Sequence, residues 1–250
     1  MKTAMASGLG IAVLAALALA SPATAQDSKP APANPTPAGA APANPAAAPG
    51  SAWSAEVSSG NQGITLDESQ TKVVQAVSDY FNGISTLQGN FVQTTSDQKK
   101  MKGKFSLLRP GKFRFDYSLP SKQIIISDGE YLAIQDLDLN NEDRIALDQT
   151  PFRLLLRKDV NLVRDAKIME VQQAEDLMVV ALQDKSPDTP GRIKVYLSTK
   201  PGVELKEWVT TDAQGLETRV EIANVVTGEK LDPASFKIQG LSKNPLGTPN

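Results

Sequence analysis

The chain has 250 residues, 22% of them charged, and a formal net charge of −2. It contains neither histidine nor cysteine, which removes the commonest general bases, thiol nucleophiles, disulfides and the usual zinc ligands. No basic surplus exists to neutralise phosphates, so nucleic acid is not an expected partner.

Met1 and Lys2 give a short basic start, residues 11–20 form an almost unbroken apolar run, and Ala23-Thr24-Ala25 supplies a small-x-small pattern before Gln26. This is the pattern of a secretory signal peptide over residues 1–25. An uncleaved membrane anchor is the rival reading, although the apolar run is short for a spanning helix. Without cysteine, the mature chain offers no thiol for acylation.

Residues 26–63 are low in complexity, and seven of the 17 prolines lie between Pro30 and Pro49. Proline lacks an amide donor and favours extended geometry, so this stretch reads as a solvated, semi-rigid tether. It serves either as a spacer or as a neutral extension. Residues 64–240 fit one domain by length, followed by a flexible tail over residues 241–250.

The domain opens with an amphipathic helix. Thr65 and Glu68 have capping-box spacing, Val73, Val77, Tyr80, Phe81 and Ile84 recur at helical spacing, and Asn82-Gly83 ends the element. From Thr86 the period drops to two. Strands are expected over 87–94, 102–108 and 112–117, the last placing Phe113, Phe115 and Tyr117 on one face with Lys112, Arg114 and Asp116 on the other. Pro110-Gly111 suits a type II turn, and Asp128-Gly129 signals a hairpin between 123–127 and 130–135.

A further strand is expected over 143–147, after the acidic stretch from Asp136 to Asp143. That stretch resembles the start of a calcium loop. It lacks the glycine needed at Asn141 and the glutamate needed at Leu147, so it reads as a solvated turn. Thr150-Pro151 starts a second, short helix with threonine as cap, and Phe152-Arg153-Leu154-Leu155-Leu156-Arg157 is too apolar to lie in water. Five more strands are expected over 165–172, 177–183, 192–198, 205–210 and 217–224. The fold class is therefore α+β: a strongly curved antiparallel sheet of ten or eleven strands, an open or half β-barrel, lidded by helices.

Chemistry has few places to live in this chain. Carboxylate catalysis, as in an envelope hydrolase, stays formally open, but nothing selects a pair of acids. The aromatic stripe reads either as ordinary core or as the wall of a cavity. Arg109 alone reads as a surface arginine at a strand end.

Gly89-x-Phe91-x-Gln93, Gly103-x-Phe105, Arg109-Pro110-Gly111-x-Phe113-Arg114-Phe115-x-Tyr117, Pro120, Gln123-Ile124-Ile125-Ile126-Ser127-Asp128-Gly129 and Thr150-Pro151-Phe152-x-Leu154-Leu155-Leu156 come one after another along the chain. In that order and spacing they resemble the LolA family of periplasmic lipoprotein carriers, and the segment from Ile134 to Asn140 is similar to its alphaproteobacterial members. The resemblance implies an incomplete barrel whose helical lid covers a hydrophobic cavity, with no catalytic residue, metal or cofactor. It implies acyl-chain contacts from Phe91, Phe105, Leu107, Phe113, Phe115, Tyr117, Ile124, Ile126, Leu132, Ile134, Leu154 and Leu155. It also implies that Arg109 latches the lid closed.

The partners so implied are acylated lipoproteins, an inner-membrane ABC transporter that releases them, and an outer-membrane acceptor lipoprotein or the outer membrane itself. The chain would act as a monomer in the periplasm. Many relatives carry tryptophan or tyrosine where this chain has Phe115, Leu132 and Ile134, which implies a more aliphatic lining. A lipid- or lipoprotein-sensing protein of the same fold is the alternative.

Overall fold

The structure is a computed structural model that describes residues 63–241. The expected leader, all but the last residue of the tether, and the tail beyond Leu241 lie outside the described residues.

Helix α1 spans Glu68–Gly83. Its capping box is built two residues later than Thr65: the Asp67 carboxylate accepts from the Gln70 amide at 2.8 Å, and the Gln70 side chain accepts from the Asp67 amide at 3.1 Å. Glu68 is left to pair with Lys72, one turn on. The helix buries Val73, Val74, Val77, Ser78 and Phe81, and the chain turns extended at Ile84.

Eleven strands come after it: β1 (Thr86–Thr94), β2 (Lys100–Leu108), β3 (Lys112–Tyr117), β4 (Gln123–Asp128), β5 (Tyr131–Asp136), β6 (Asn141–Ala146), β7 (Ala166–Gln173), β8 (Leu177–Asp184), β9 (Arg192–Ser198), β10 (Glu204–Thr211) and β11 (Glu217–Thr227). They form one sheet in the order β6-β5-β4-β3-β2-β1-β11-β10-β9-β8-β7. Every neighbouring pair is antiparallel. The first and last strands, β1 and β11, meet in the middle, which leaves β6 and β7 as the two edge strands.

That topology dictates where the lid must lie. The connection from β6 to β7 joins opposite edges of one sheet, and it carries a 3-10 turn (Leu147–Gln149), α2 (Arg153–Leu156) and α3 (Leu162–Asp165). Leu154, Leu155, Leu156 and Leu162 are buried in the same core as α1 and the inner face of the sheet. At about 1.5–3 kcal/mol per buried leucine, this burial is what presses the connection onto the sheet.

Register fixes which side chains share the inner face. Phe105, Phe115, Ile125 and Ile134 lie opposite one another across β2 to β5. Gly103 stands between Phe91 and Tyr117, whose rings meet at 5.0 Å. A Cβ at Gly103 would come within 2.0 Å of the Asp116 carbonyl oxygen and 2.8 Å of the Phe91 ring, so glycine is what the close approach of β3 and the ring requires.

The outer face carries Ile124 and Ile126, opposite Asp116 and Arg114. This corrects their expected place beside the Phe113–Tyr117 stripe. Three consecutive isoleucines read the same from either face, so alternation could not show that Ile125 is the inward one. The outer face is itself covered. A 3-10 turn (Pro233–Phe236) packs on β3 and β4, with Phe236 buried. The Ser235 carbonyl accepts from Arg114 at 3.3 Å, and the Gln239 carbonyl accepts from Gln135 at 2.7 Å.

The acidic stretch runs from the end of β5 through the turn into β6, which takes up Asn141, Glu142 and Asp143. Asp136 accepts from the amides of Asp138 and Leu139, and Asp138 pairs with Lys122 at 2.6 Å.

Candidate functional site

Between the inner face and the short helices lies a cavity of about 80 Å³. Phe105, Leu107, Phe113, Phe115, Tyr117, Ile125 and Leu132 supply one side of the wall. Ile193, Val195, Leu205, Trp208 and Val220 supply the other, and Phe81, Phe152, Leu155 and Leu156 form the roof. The polar residues on the wall include Gln93, Ser106 and Tyr117. Tyr117 donates to Gln93 Oε1 at 2.5 Å, and burial pushes the phenol pKa well up, so the hydroxyl stays neutral. The aromatic wall is held by edge contacts: Phe115 meets Phe91 at 5.0 Å and Trp208 at 6.0 Å, while Phe113 meets Phe115 at 6.0 Å.

Of the twelve side chains expected to touch cargo, the structure brings seven together on this wall: Phe105, Leu107, Phe113, Phe115, Tyr117, Leu132 and Leu155. Phe91 lies behind Phe115 and Tyr117 as their packing partner. Ile134 and Leu154 belong to the surrounding core, while Ile124 and Ile126 are on the outer face. The wall contributed by β9, β10 and β11 was not expected from the sequence. Alternation of Ile193, Val195 and Leu197 with Lys194 and Tyr196 is the signal that could have found part of it.

The roof is fixed from both sides. On one side stands the β2–β3 turn, where Gly111 has φ +71° and the Lys112 amide bonds to the Pro110 carbonyl at 2.9 Å. This is a γ-turn centred on glycine rather than the expected type II turn. It leaves the Gly111 amide free to donate to the Leu156 carbonyl at 2.9 Å. Arg109 Nη2 donates to the carbonyls of Arg157 and, at 3.4 Å, Lys158, while Nη1 donates to Ile84 O at 3.4 Å. Three successive carbonyls leaving α2 are thus held by two residues of one turn. Burial lowers the Arg109 pKa, yet arginine remains charged.

On the other side, Arg153 at the start of α2 grips Asp184 at the end of β8 with two bonds of 2.5 and 2.9 Å. The Asp184 side chain is only 1% exposed, and the Ser186 amide also donates to it. The expected threonine cap is absent: Phe152 occupies the N-cap, and the Thr150 hydroxyl donates back to Leu147 O. Helix α1 clamps the segment that joins α2 to α3. The Asn82 amide group pairs with both backbone groups of Val160 at 2.9 Å, and Ser78 accepts from the Leu162 amide at 3.2 Å.

The family model of the outer membrane lipoprotein carrier protein LolA matches residues 82–239. Proteins named outer-membrane lipoprotein carrier protein from Chromobacterium violaceum and Methylococcus capsulatus are each 31% identical to this chain, over 175 and 179 residues. These matches cover 67% and 68% of this chain, and 83% and 85% of the relatives. A third of the same name, from Halorhodospira halophila, is 27% identical over 186 residues, covering 70% of this chain and 86% of its own. A matched domain of this extent places the chain in the LolA family of outer membrane lipoprotein carrier proteins.

Proposed function

We propose that this chain is a periplasmic carrier that shields the acyl chains of lipoproteins between the inner and outer membranes. The observation that carries this reading is the nearly all-apolar wall beneath a roof held by hydrogen bonds. Burying a methylene is worth about 0.8 kcal/mol, so three long acyl chains bring roughly 30 kcal/mol of driving force without any polar code. One buried water needs about 10–15 Å³, so a cavity of about 80 Å³ is far too small for such a load. Loading therefore requires the roof to move outward. Arg109 acts as the latch, because its bonds to the lid carbonyls must break for the roof to open. That cost weakens binding and so permits release.

The carrier reading is favoured over a hydrolase, because the wall pairs no nucleophile with a base: the Tyr117 hydroxyl, kept neutral by burial, donates to the Gln93 amide oxygen. Among the described residues, no helix is long and apolar enough to cross a membrane. An export leader over residues 1–25 fits a periplasmic site of action. An inner-membrane ABC transporter supplies the cargo, and an outer-membrane acceptor, or that membrane itself, receives it.

The test is mass spectrometry of the full chain purified from envelope extracts without detergent. Triacylated proteins bound at near-stoichiometric amounts are expected. Absence of acylated protein, together with failure of palmitoyl chains to displace a fluorescent hydrophobe, overturns the reading.

A further inference from the structure

Trp208 is on β10, opposite Val195 of β9 and Val220 of β11, and all three residues line the cavity. Its side of the wall is otherwise aliphatic, and its ring meets Phe115 edge-on. The residue is 8% exposed, and its indole N–H is buried with no acceptor among the described residues. A desolvated donor without a partner is costly and uncommon in folded proteins. Another donor on this wall, the Tyr117 hydroxyl, has Gln93. The Trp208 N–H has no such partner and is left for whatever enters.

We propose that Trp208 is a cargo-binding residue whose Nε1–H donates to the carbonyl oxygen at the head of an acyl chain. This rests on the carrier reading. A hydrocarbon tail has no acceptor to offer, whereas an ester- or amide-linked acyl group has one, at one end. A donor without a protein partner on an otherwise aliphatic side of the wall therefore sets how deep the chain sits. The carbonyl stops at β10, and the methylenes run on past Phe115 and Phe113. The chain is recognised by its head atom as well as by its length.

The experiment uses the full mature chain, wild type and Trp208→Phe, which keeps an aromatic ring and removes the donor. Methyl palmitate and the n-alkane of equal length, delivered from cyclodextrin, compete with a bound fluorescent hydrophobe. The substitution is expected to weaken the ester by about three- to tenfold more than it weakens the alkane, the worth of one hydrogen bond beyond the shared loss of packing. Equal losses for the two ligands overturn the proposal.

A second measurement needs no substitution inside the domain. The chain has two tryptophans, Trp53 and Trp208, so 15N-tryptophan labelling gives two indole signals, and Trp53→Phe, outside residues 64–240, assigns them. The Trp208 indole proton should move downfield with the ester and stay put with the alkane. A shift common to both ligands overturns the hydrogen bond and leaves the carrier reading standing. If neither ligand competes with the fluorophore in wild type, both fall together.

Discussion

The amide of Gly111 donates to the carbonyl of Leu156 across 2.9 Å, tying the β2–β3 turn to the last residue of the lid helix α2. The bond exists because Gly111 adopts a positive φ that aims its N–H away from its own turn. Gly111→Ala should lower the unfolding free energy by about 1–3 kcal/mol, since alanine resists that conformation. Its Cβ would also come within 2.9 Å of Gly129 Cα. Urea denaturation reads this directly, and an unchanged midpoint refutes it.

Arg109 offers a different kind of test, because its loss should alter transfer more than folding. Charge-assisted bonds to carbonyls are worth about 1.5–3 kcal/mol when dry, and roughly half that for a half-exposed guanidinium. Arg109→Leu is therefore expected to hold acyl cargo several-fold more tightly and to hand it on more slowly. Arg109→Lys should lie between the two, since one ammonium cannot span the same carbonyls. Transfer from loaded protein to outer-membrane vesicles measures both. Unchanged loading and hand-off would sink the latch.

Arg153 and Asp184 anchor the opposite side of the roof. Arg153→Met strands a carboxylate that is 1% exposed with a backbone amide for company, and should cost about 3 kcal/mol of stability. The double variant Arg153→Met/Asp184→Leu should recover much of that loss, which separates the stranded charge from the loss of packing. Thermal melts of the three proteins give the answer.

Ile126 and Phe236 belong to the outer layer, away from the cavity wall. Phe236→Ala should cost about 3–5 kcal/mol and Ile126→Ala about 2–5 kcal/mol, with little change in acyl affinity of the folded fraction. Phe113→Ala should lower both. An affinity loss in Phe236→Ala equal to that in Phe113→Ala would contradict this separation of layers.

The Arg164 guanidinium holds the Asp165 carboxyl below its ordinary pKa, against the opposing cost of burial and with further help from Arg157. A depressed folded pKa stabilises the native state wherever the carboxyl is ionised in both states. That contribution is complete above about pH 4 and is lost as pH falls through the lower native value. Asp165→Asn should therefore be the less stable protein at neutral pH, with the gap closing in acid. A gap that is constant from pH 7 to pH 2 refutes the linkage.

Much of this architecture is legible in the sequence. Period-two alternation locates the strands, because each strand of a one-sided sheet must sort its side chains between core and outside. Two things are not. Three isoleucines in a row give alternation nothing to sort, so the face of β4 waits on the register with β3. The second side of the cavity comes from β9, β10 and β11, and only the long-range pairing of β1 with β11 brings it round to face Phe113 and Phe115. Likewise, Arg153 and Asp184 are 31 residues apart, and no local pattern joins them. Thr150-Pro151 looks like a helix start, yet the threonine hydroxyl finds a nearer carbonyl at Leu147.

The two end strands of the sheet, β6 and β7, do not pair with each other, and this has a mechanical consequence. In a sealed barrel, strand number and stagger dictate the radius, so capacity is a constant of the fold. A sheet that stops short of sealing has no such constant. It can flex outward by easing its coil while each of its ten ladders keeps its bonds. Interior capacity then becomes a continuous quantity set by the guest, and one protein can accommodate passengers of unlike bulk without a separate shape for each.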